Sequence, residues 1–492
     1  MTSSRLLMRG IALGVSCLAA GCATAPSSPK QPAPDVMPRA QPPADALKLD
    51  SSQVRPMYTE MLAIDLQNVV QVASDKNVDI LKARQQVEAS RGQLETAAAS
   101  IFPVIAPSLV LDHIQGVNAA YTGQVVPVNF TTLQPAVLVQ FILNPGRVIY
   151  EVIASKKRLL AAEQQERFIV METIRSSVVQ YYDLILAQSR IAVAREAVTA
   201  AEELLRLTRL RLEAGTGLPA DDLRAQANLA GRQQDLALAL NAFYQSSITL
   251  ASTLYLEPTV TLVPKPDHMA PVHLVREDLK ITEMLAIATQ RRPDLQGVKY
   301  SAAAAAAESK STLWGGVSPQ LQGGYQVGRL SSETPAQSFP FQEQRTANAS
   351  VGWLLSPTLF GQVKTAKANE RDAVLEVEQR FEQVQAQVVR SAQDSATNAK
   401  IIPIAKQQVA AAEEALRLAQ RNLGAGTALT VDVLQAEDAL NDAQLRYASA
   451  ATAYNQSQVN LLAALGLIDS VSLTPVEGTS SVPNIRPAGS AR

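Results

Sequence analysis

Toward the C-terminal end of the chain, large residues return every seven positions: Val433, Leu440, Tyr447, Tyr454 and Leu461. Three positions after each stands a small one: Ala436, Ala443, Ala450, Ser457 and Ala464. A strict seven-residue period predicts a helix over about 430–465, wound left-handedly on a neighbour, and the alternation of large and small lets the two interlock. Leu229, Leu236, Phe243 and Leu250 hold the same register in a second stretch, about 220–256. A much longer run precedes each stretch. Residues 147–214 contain neither Pro nor Gly, enough for a helix of up to about 100 Å. Residues 362–423 match them except for Pro403, which should kink the helix. Two short helices stacked end to end, one of them within 58–101, would match one long helix. An antiparallel coiled-coil hairpin with no transport role accounts for this stripe equally well.

Each long run ends in a break. "EAGTGLPADDLRAQANL" at 213–229 returns as "GAGTALTVDVLQAEDAL" at 424–440. Aligned without gaps, 200–256 and 411–467 share roughly 25 of 57 residues, too many for chance, so the chain contains an internal repeat. Gly215 and Gly426 suit chain reversal because glycine tolerates positive φ. Asp221 and Asp432 stand where a carboxylate can cap the returning helix. The preceding segments correspond more loosely, as in "SDKNVDILKARQQVEAS" and "TQRRPDLQGVKYSAAAA". Each half therefore reads helix, strand, loop, strand, long helix, break, helix. The two copies are assigned to 58–270 and 271–468, turning at about 213–220 and 424–431.

The strands are expected at about 104–113, 136–143, 320–327 and 347–355, from composition and partial alternation. Long polar loops are expected between the members of each pair, near 116–132 and 328–345. Tyr121, Phe130, Phe141, Phe339, Phe341 and Trp353 lie in or beside them, which suits a membrane-interface girdle as well as an ordinary core. Four strands cannot close. In lipid an open sheet would leave edge N–H and C=O groups unpaired at several kcal/mol each, so spanning strands must be pooled between chains.

Composition narrows the picture. Apolar residues make up 47% of the 492 residues and aromatics only 4%, which favours helices packed through small side chains. A net charge of −1 leaves no basic footprint, so nucleic acid is not an expected partner. Arg5 and Arg9 precede an apolar run at 11–20, the layout of a secretory signal over 1–21. It ends in "LAAGC", which resembles the bacterial lipoprotein cleavage box, with Ala19 where leucine is commoner; Cys22 would become the lipidated first residue. An ordinary signal peptide with an incidental cysteine is the alternative. Residues 22–57 and 469–492 are rich in Pro, Ser and Ala or Gly and read as a tether and a tail. After the signal there is no apolar stretch of about 18 residues, so no transmembrane helix is expected.

Two tandem copies of a strand pair and a helical hairpin turning at Gly-Thr-x-x-x-Asp-x-Leu resemble the outer membrane factor (TolC) family, over about 58–467. With "LAAGC", the chain is most similar to the lipoprotein members of efflux systems. The resemblance implies a mostly α fold with a β-barrel part. Three chains would pool twelve strands in the outer membrane and twelve helices as a tunnel across the periplasm. Partners implied are two further copies, outer-membrane lipids, a periplasmic adaptor and an inner-membrane transporter. Gly215, Thr216, Leu218, Gly426, Thr427 and Leu429 would lie at the periplasmic tip, where the adaptor docks. Asp432 and Asp221 match the aspartates that narrow the closed tip in such proteins. Gln435 stands where some members have a second aspartate, and Ala428 where some have an arginine, so a closing salt bridge from 428 to Asp221 is not available.

Catalytic signatures are lacking: there is no phosphate-binding loop, nucleophile elbow or zinc-protease motif, and an enzyme is not expected. His113, His268 and His273 have no ligand cluster beside them, so neither a metal nor a cofactor is expected, and "HMAPVH" reads as incidental surface. Glu202, Glu203, Glu413 and Glu414 read as solvated helix faces. Two functions remain: a passive export duct, and a structural envelope lipoprotein whose hairpins scaffold partners without a pore. Neither motif nor composition specifies a cargo.

Overall fold

The computed structural model describes residues 60–119, 123–265, 271–276, 279–334 and 337–468. The signal, Cys22, the tether, Tyr121, His268 and the tail lie outside the described residues. Each half of the chain runs through the same series of elements. The first is β1 (Glu60–Ile64), α1 (Leu66–Lys76), α2 (Val78–Ala99), β2 (Val104–Ala119), β3 (Val125–Leu143), α3 (Pro145–Glu213) and α4 (Pro219–Thr253). The second is β4 (Val260–Pro264), α5 (Ile281–Arg291), α6 (Pro293–Val317), β5 (Gln320–Glu333), β6 (Ser338–Gly352), α7 (Thr358–Gly424) and α8 (Thr430–Ala464). No helix among the described residues is long and apolar enough to cross a membrane.

With 69 and 67 residues, α3 and α7 extend roughly 100 Å each. Asn144 starts α3: its side chain accepts from the Arg147 N–H at 3.0 Å, and its amide donates to the Gly315 carbonyl at 2.8 Å, tying α3 to the end of α6. Both α2 and α4 pack on α3, and they meet where the Asn77 amide donates to the Thr253 carbonyl at 3.1 Å. Stacked short helices thus match one long one. The α7 helix continues through Pro403, which leaves one carbonyl without its usual donor.

The main core sits where those junctions meet. Val69, Tyr181, Leu184, Leu250, Leu254, Leu262 and Leu465, all fully buried, bring together both halves of the chain. Here β1 and β4 pair in parallel, Glu60 opposite Val260 to Ile64 opposite Pro264, a sheet the sequence pattern did not reveal. The chain between the halves is strapped onto α8. Asn455 accepts from the Val272 N–H at 2.8 Å, Gln458 accepts from Leu274 and Val275, and the Tyr454 hydroxyl meets His273 Nδ1 at 2.6 Å. His273, expected to be incidental surface, is exposed as expected but bonds and stacks edge-on to Tyr454.

The other sheet has the order β2-β3-β5-β6, antiparallel throughout. Its strands run well beyond the expected 104–113, 136–143 and 320–327, while β6 ends at Gly352 and leaves Trp353 outside it. Most of the segments expected as loops, 116–132 and 328–345, are strand. The register explains the misreading. Residues opposite one another share a face, and one face carries Ser108, Gln134, Gln140, Gln326, Gln344 and Asn348. Those amides, with Pro127, Pro135 and glycines, imitate loop composition. Pro135 falls where the β3–β5 ladder skips from Leu133 to Ala136, so its missing N–H costs no bond there. The opposite face carries Ile105, Leu109, Leu111, Leu133, Val137, Val139, Tyr325, Val327 and Val351.

Crowding identifies the concave side. A methyl on Gly328 would come within 2.5 Å of the Pro135 carbonyl, and one on Gly324 within 2.4 Å of Asn348 Oδ1, whereas one on Gly323, facing the other way, meets nothing closer than 3.9 Å. The amide-bearing face is therefore the concave one. Across it Gln134 donates to Gln344 at 3.0 Å, over Gly328. Among the described residues, strands β2 and β6 are unpaired on their outer edges.

Candidate functional site at the paired helix turns

The two breaks fold alike. Gly215 and Gly426 take φ of 74° and 78°, the left-handed conformation that ends each long helix. Thr216 N–H donates to the Arg211 carbonyl at 2.9 Å, and Thr427 N–H to Asn422 at 3.0 Å. Each threonine hydroxyl reaches the same carbonyl as its N–H. Leu218 and Leu429 then start the returning helices in extended conformation, exposed and without a side-chain cap. Gly215, Thr216, Leu218, Gly426, Thr427 and Leu429 form two short exposed caps of backbone and apolar side chain.

The aspartates diverge. Asp432 folds back, accepting the Leu429 N–H at 2.8 Å, so its carboxylate closes its own turn while still exposed. Asp221 instead faces Arg224 at 3.2 Å. Its neighbour Asp222, at the position equivalent to Val433, meets Arg209 at 3.5 Å and accepts from Gln226 at 2.6 Å. Gln435 is exposed on the first turns of α8.

Between the hairpins lies a small joint. Leu204, Leu423 and Val433 are buried together, with Leu416, Ala419 and Leu434 against them, and this cluster is separate from the main core. Arg211, in the last turn of α3, donates to the Leu423 carbonyl in the last turn of α7. That bond satisfies a helix C-terminus with a cation and ties the two turns together. On the other side, Arg232 of α4 bonds Asp438 of α8 and lies 3.3 Å from Asp235.

A cavity of about 310 Å³ opens in the joint, lined among others by Leu204, Thr208, Arg211, Leu423, Val433 and Glu437. Glu437 is 7% exposed. Burial pushes its carboxyl above the usual glutamate range, with the charge of Arg232 opposing. A carboxyl raised in the folded state costs stability when charged. The joint should therefore tighten as pH falls through that raised value and hold the gain below the ordinary glutamate pKa. Hydrogen exchange in the first turns of α8 is expected to slow as pH falls from neutral toward the ordinary glutamate range, after correction for intrinsic rates. Glu437→Gln should abolish that dependence; an unchanged profile in the variant would rule out the carboxyl as its source.

Sequence reasoning located the turns but missed Arg211, Arg232 and Glu437. Glu437 carries a faint signal, standing four residues after the buried Val433 and so on the same helix face. Among the described residues no group of His, Cys, Asp or Glu is placed to hold a metal.

A family model described as outer membrane efflux protein matches residues 69–254 and 284–467, ending each time where a returning helix ends. The chain belongs to that family. Function as an outer-membrane duct of an efflux system follows, and the family is one of channels rather than enzymes. Among solved structures, the outer-membrane channel OprN superposes with a TM-score of 0.69 at 19% identity, covering 87% of this chain and 98% of that one. The Campylobacter jejuni CmeC outer membrane channel gives 0.68 at 17%, covering 82% and 85%. The open state of the Neisseria gonorrhoeae MtrE outer membrane channel gives 0.67 at 19%, covering 82% and 89%. No curated protein matches the chain.

Proposed function

We propose that three copies of this chain close into one duct: a twelve-stranded barrel in the outer membrane, continued by a twelve-helix tunnel across the periplasm. The observation that carries this reading is the four-stranded sheet, apolar on its convex face, amide-lined on its concave face and, among the described residues, unpaired at the outer edges of β2 and β6. An open edge in lipid is untenable, and joining β6 of one copy to β2 of the next removes both. Cys22 would carry the lipid anchor, released by cleavage of 1–21. The turns at 213–220 and 424–431 form the far end, where Gly215, Thr216, Leu218, Gly426, Thr427 and Leu429 meet a periplasmic adaptor coupled to an inner-membrane transporter. Three Asp432 carboxylates around the axis, flanked by Gln435 and Asp221, would narrow the closed tip and favour cations. The solved open state of a neighbouring channel is consistent with such a closing end.

Purified protein in planar bilayers is expected to give discrete conductance steps. Protein that gives none, and shows no barrel signature in circular dichroism, would leave a structural lipoprotein as the better reading. Asp432→Ala should widen the closed state and raise basal conductance several-fold. It also removes the bond to the Leu429 N–H, at a cost of about 1 kcal/mol. Conductance and cation preference like those of the parent would leave Asp432 as a helix cap and nothing more.

A further inference from the structure

Charge is divided unequally between the two faces of the four-stranded sheet. In β2, β3, β5 and β6 the acidic, basic and imidazole side chains are Asp112, His113, Arg329, Glu333, Glu343 and Arg345. The register puts five of them on the convex, apolar face: His113 opposite Thr131, Glu333 also opposite Thr131, Arg329 opposite Glu343, and Arg345 opposite Val327. Side-chain contacts agree, since His113 Nδ1 lies 2.9 Å from Thr131 Oγ1 and Arg345 pairs with Glu343 at 2.6 Å. Asp112 is the exception. It stands opposite Thr132, on the concave face with the Gln134–Gln344 bridge, and it is exposed. Everything else that the strands present to that side is amide, hydroxyl, apolar or glycine.

We infer that Asp112 is a charge-selectivity residue of the duct, setting a cation preference within the barrel, remote from the helix turns. This rests on the trimeric barrel proposed above, in which the concave face lines the passage. Threefold closure would set three Asp112 carboxylates in one ring on an otherwise uncharged wall. In a twelve-stranded barrel they lie roughly 10 Å from the axis. Coulomb attraction at that distance in water, screened over about 10 Å at 0.1 M salt, raises the cation concentration on the axis roughly twofold. At 0.01 M, where screening reaches about 30 Å, the same ring gives roughly four- to fivefold, and at 1 M almost nothing. The preference arises in a wide, hydrated lumen, so it depends on salt in a way that a narrow constriction does not.

The test is the reversal potential of the purified full-length protein in planar bilayers under a potassium chloride gradient. Asp112→Asn is expected to lower the cation-to-anion permeability ratio at least twofold near 0.1 M and to match the parent near 1 M. Asp112→Lys should move the preference toward anions, and Glu343→Gln, on the convex face, should change nothing. Gln326→Lys is the reporter for the lumen. If it shifts the reversal potential while Asp112→Asn and Asp112→Lys do not, the role of Asp112 is refuted with the barrel reading intact. If none of the three has an effect, the concave face does not line the passage, and both inferences fall together.

Discussion

Replacing Arg292 with alanine is expected to cost roughly 3–5 kcal/mol of stability, the largest effect of any single change considered for this chain. Its guanidinium is bound in a fork: Nε donates to Asp294 Oδ1 at 2.9 Å, Nη2 to Oδ2 at 2.7 Å, and Nη1 to Gln387 on α7 at 2.6 Å. Both side chains of the ion pair are 5% exposed. The pair sits at the junction of α5 and α6, where a methyl on Gly466 would already press on the Arg291–Arg292 backbone at 3.0 Å. Removing the cation leaves Asp294 buried and charged with no counter-ion. Removing both charges, as in Arg292→Leu with Asp294→Leu, should recover part of the loss, because no orphaned charge remains. Denaturant titration followed by far-ultraviolet circular dichroism measures both variants. A loss below about 1 kcal/mol for Arg292→Ala would mean that water reaches the pair.

Arg211→Ala is expected to raise the fraction of time the duct spends open by about ten- to a hundredfold. A hydrogen bond from a charged donor contributes about 1.5–3 kcal/mol, and that range sets the population shift. The Arg211 guanidinium on the Leu423 carbonyl joins the end of α3 to the end of α7, and the apolar cluster beneath it contains only three fully packed members. At the closing tip proposed above, so small a joint would leave that bond a large share of the closing energy. Single-channel open probability gives the answer directly. Parent-like gating in Arg211→Ala would show that contacts between protomers, rather than this link, hold the hairpins together.

The sequence made the hairpins plain and the sheets obscure, for physical reasons. Gly426, Thr427 and Asp432 announce a turn because few residues tolerate positive φ or cap a helix, and their copies at Gly215, Thr216 and Asp221 doubled the signal. Of the heptad at Val433, Leu440, Tyr447, Tyr454 and Leu461, Val433, Tyr454 and Leu461 are buried and Leu440 and Tyr447 half-buried, because one chain packs that stripe on itself. The strands were read short because their concave side carries polar residues and glycine, so Gln134, Thr132 and Gly328 look like loop. Strands β1 and β4 are five residues each and find each other across about two hundred positions, which no local period can record. The same holds for Arg211 and Leu423, 212 residues apart, at a place where the other copy has Asn422 and offers no echo. Glu437 hid among Asp438, Asp442 and their neighbours, where one buried carboxylate looks like its solvated companions.

The two free edges of the sheet bear on how the protein is made. A barrel built from one chain can close as it enters the bilayer, whereas β2 and β6 here have no outer-edge partner among the described residues of their own protomer. Until another copy supplies one, their N–H and C=O groups are stable only in water or under a chaperone's cover. In the trimeric duct proposed above, insertion and oligomerisation would then be a single event, second order or higher in chain concentration. Scarce synthesis would strand monomers in the periplasm, where the helical part can already be complete while the strands wait.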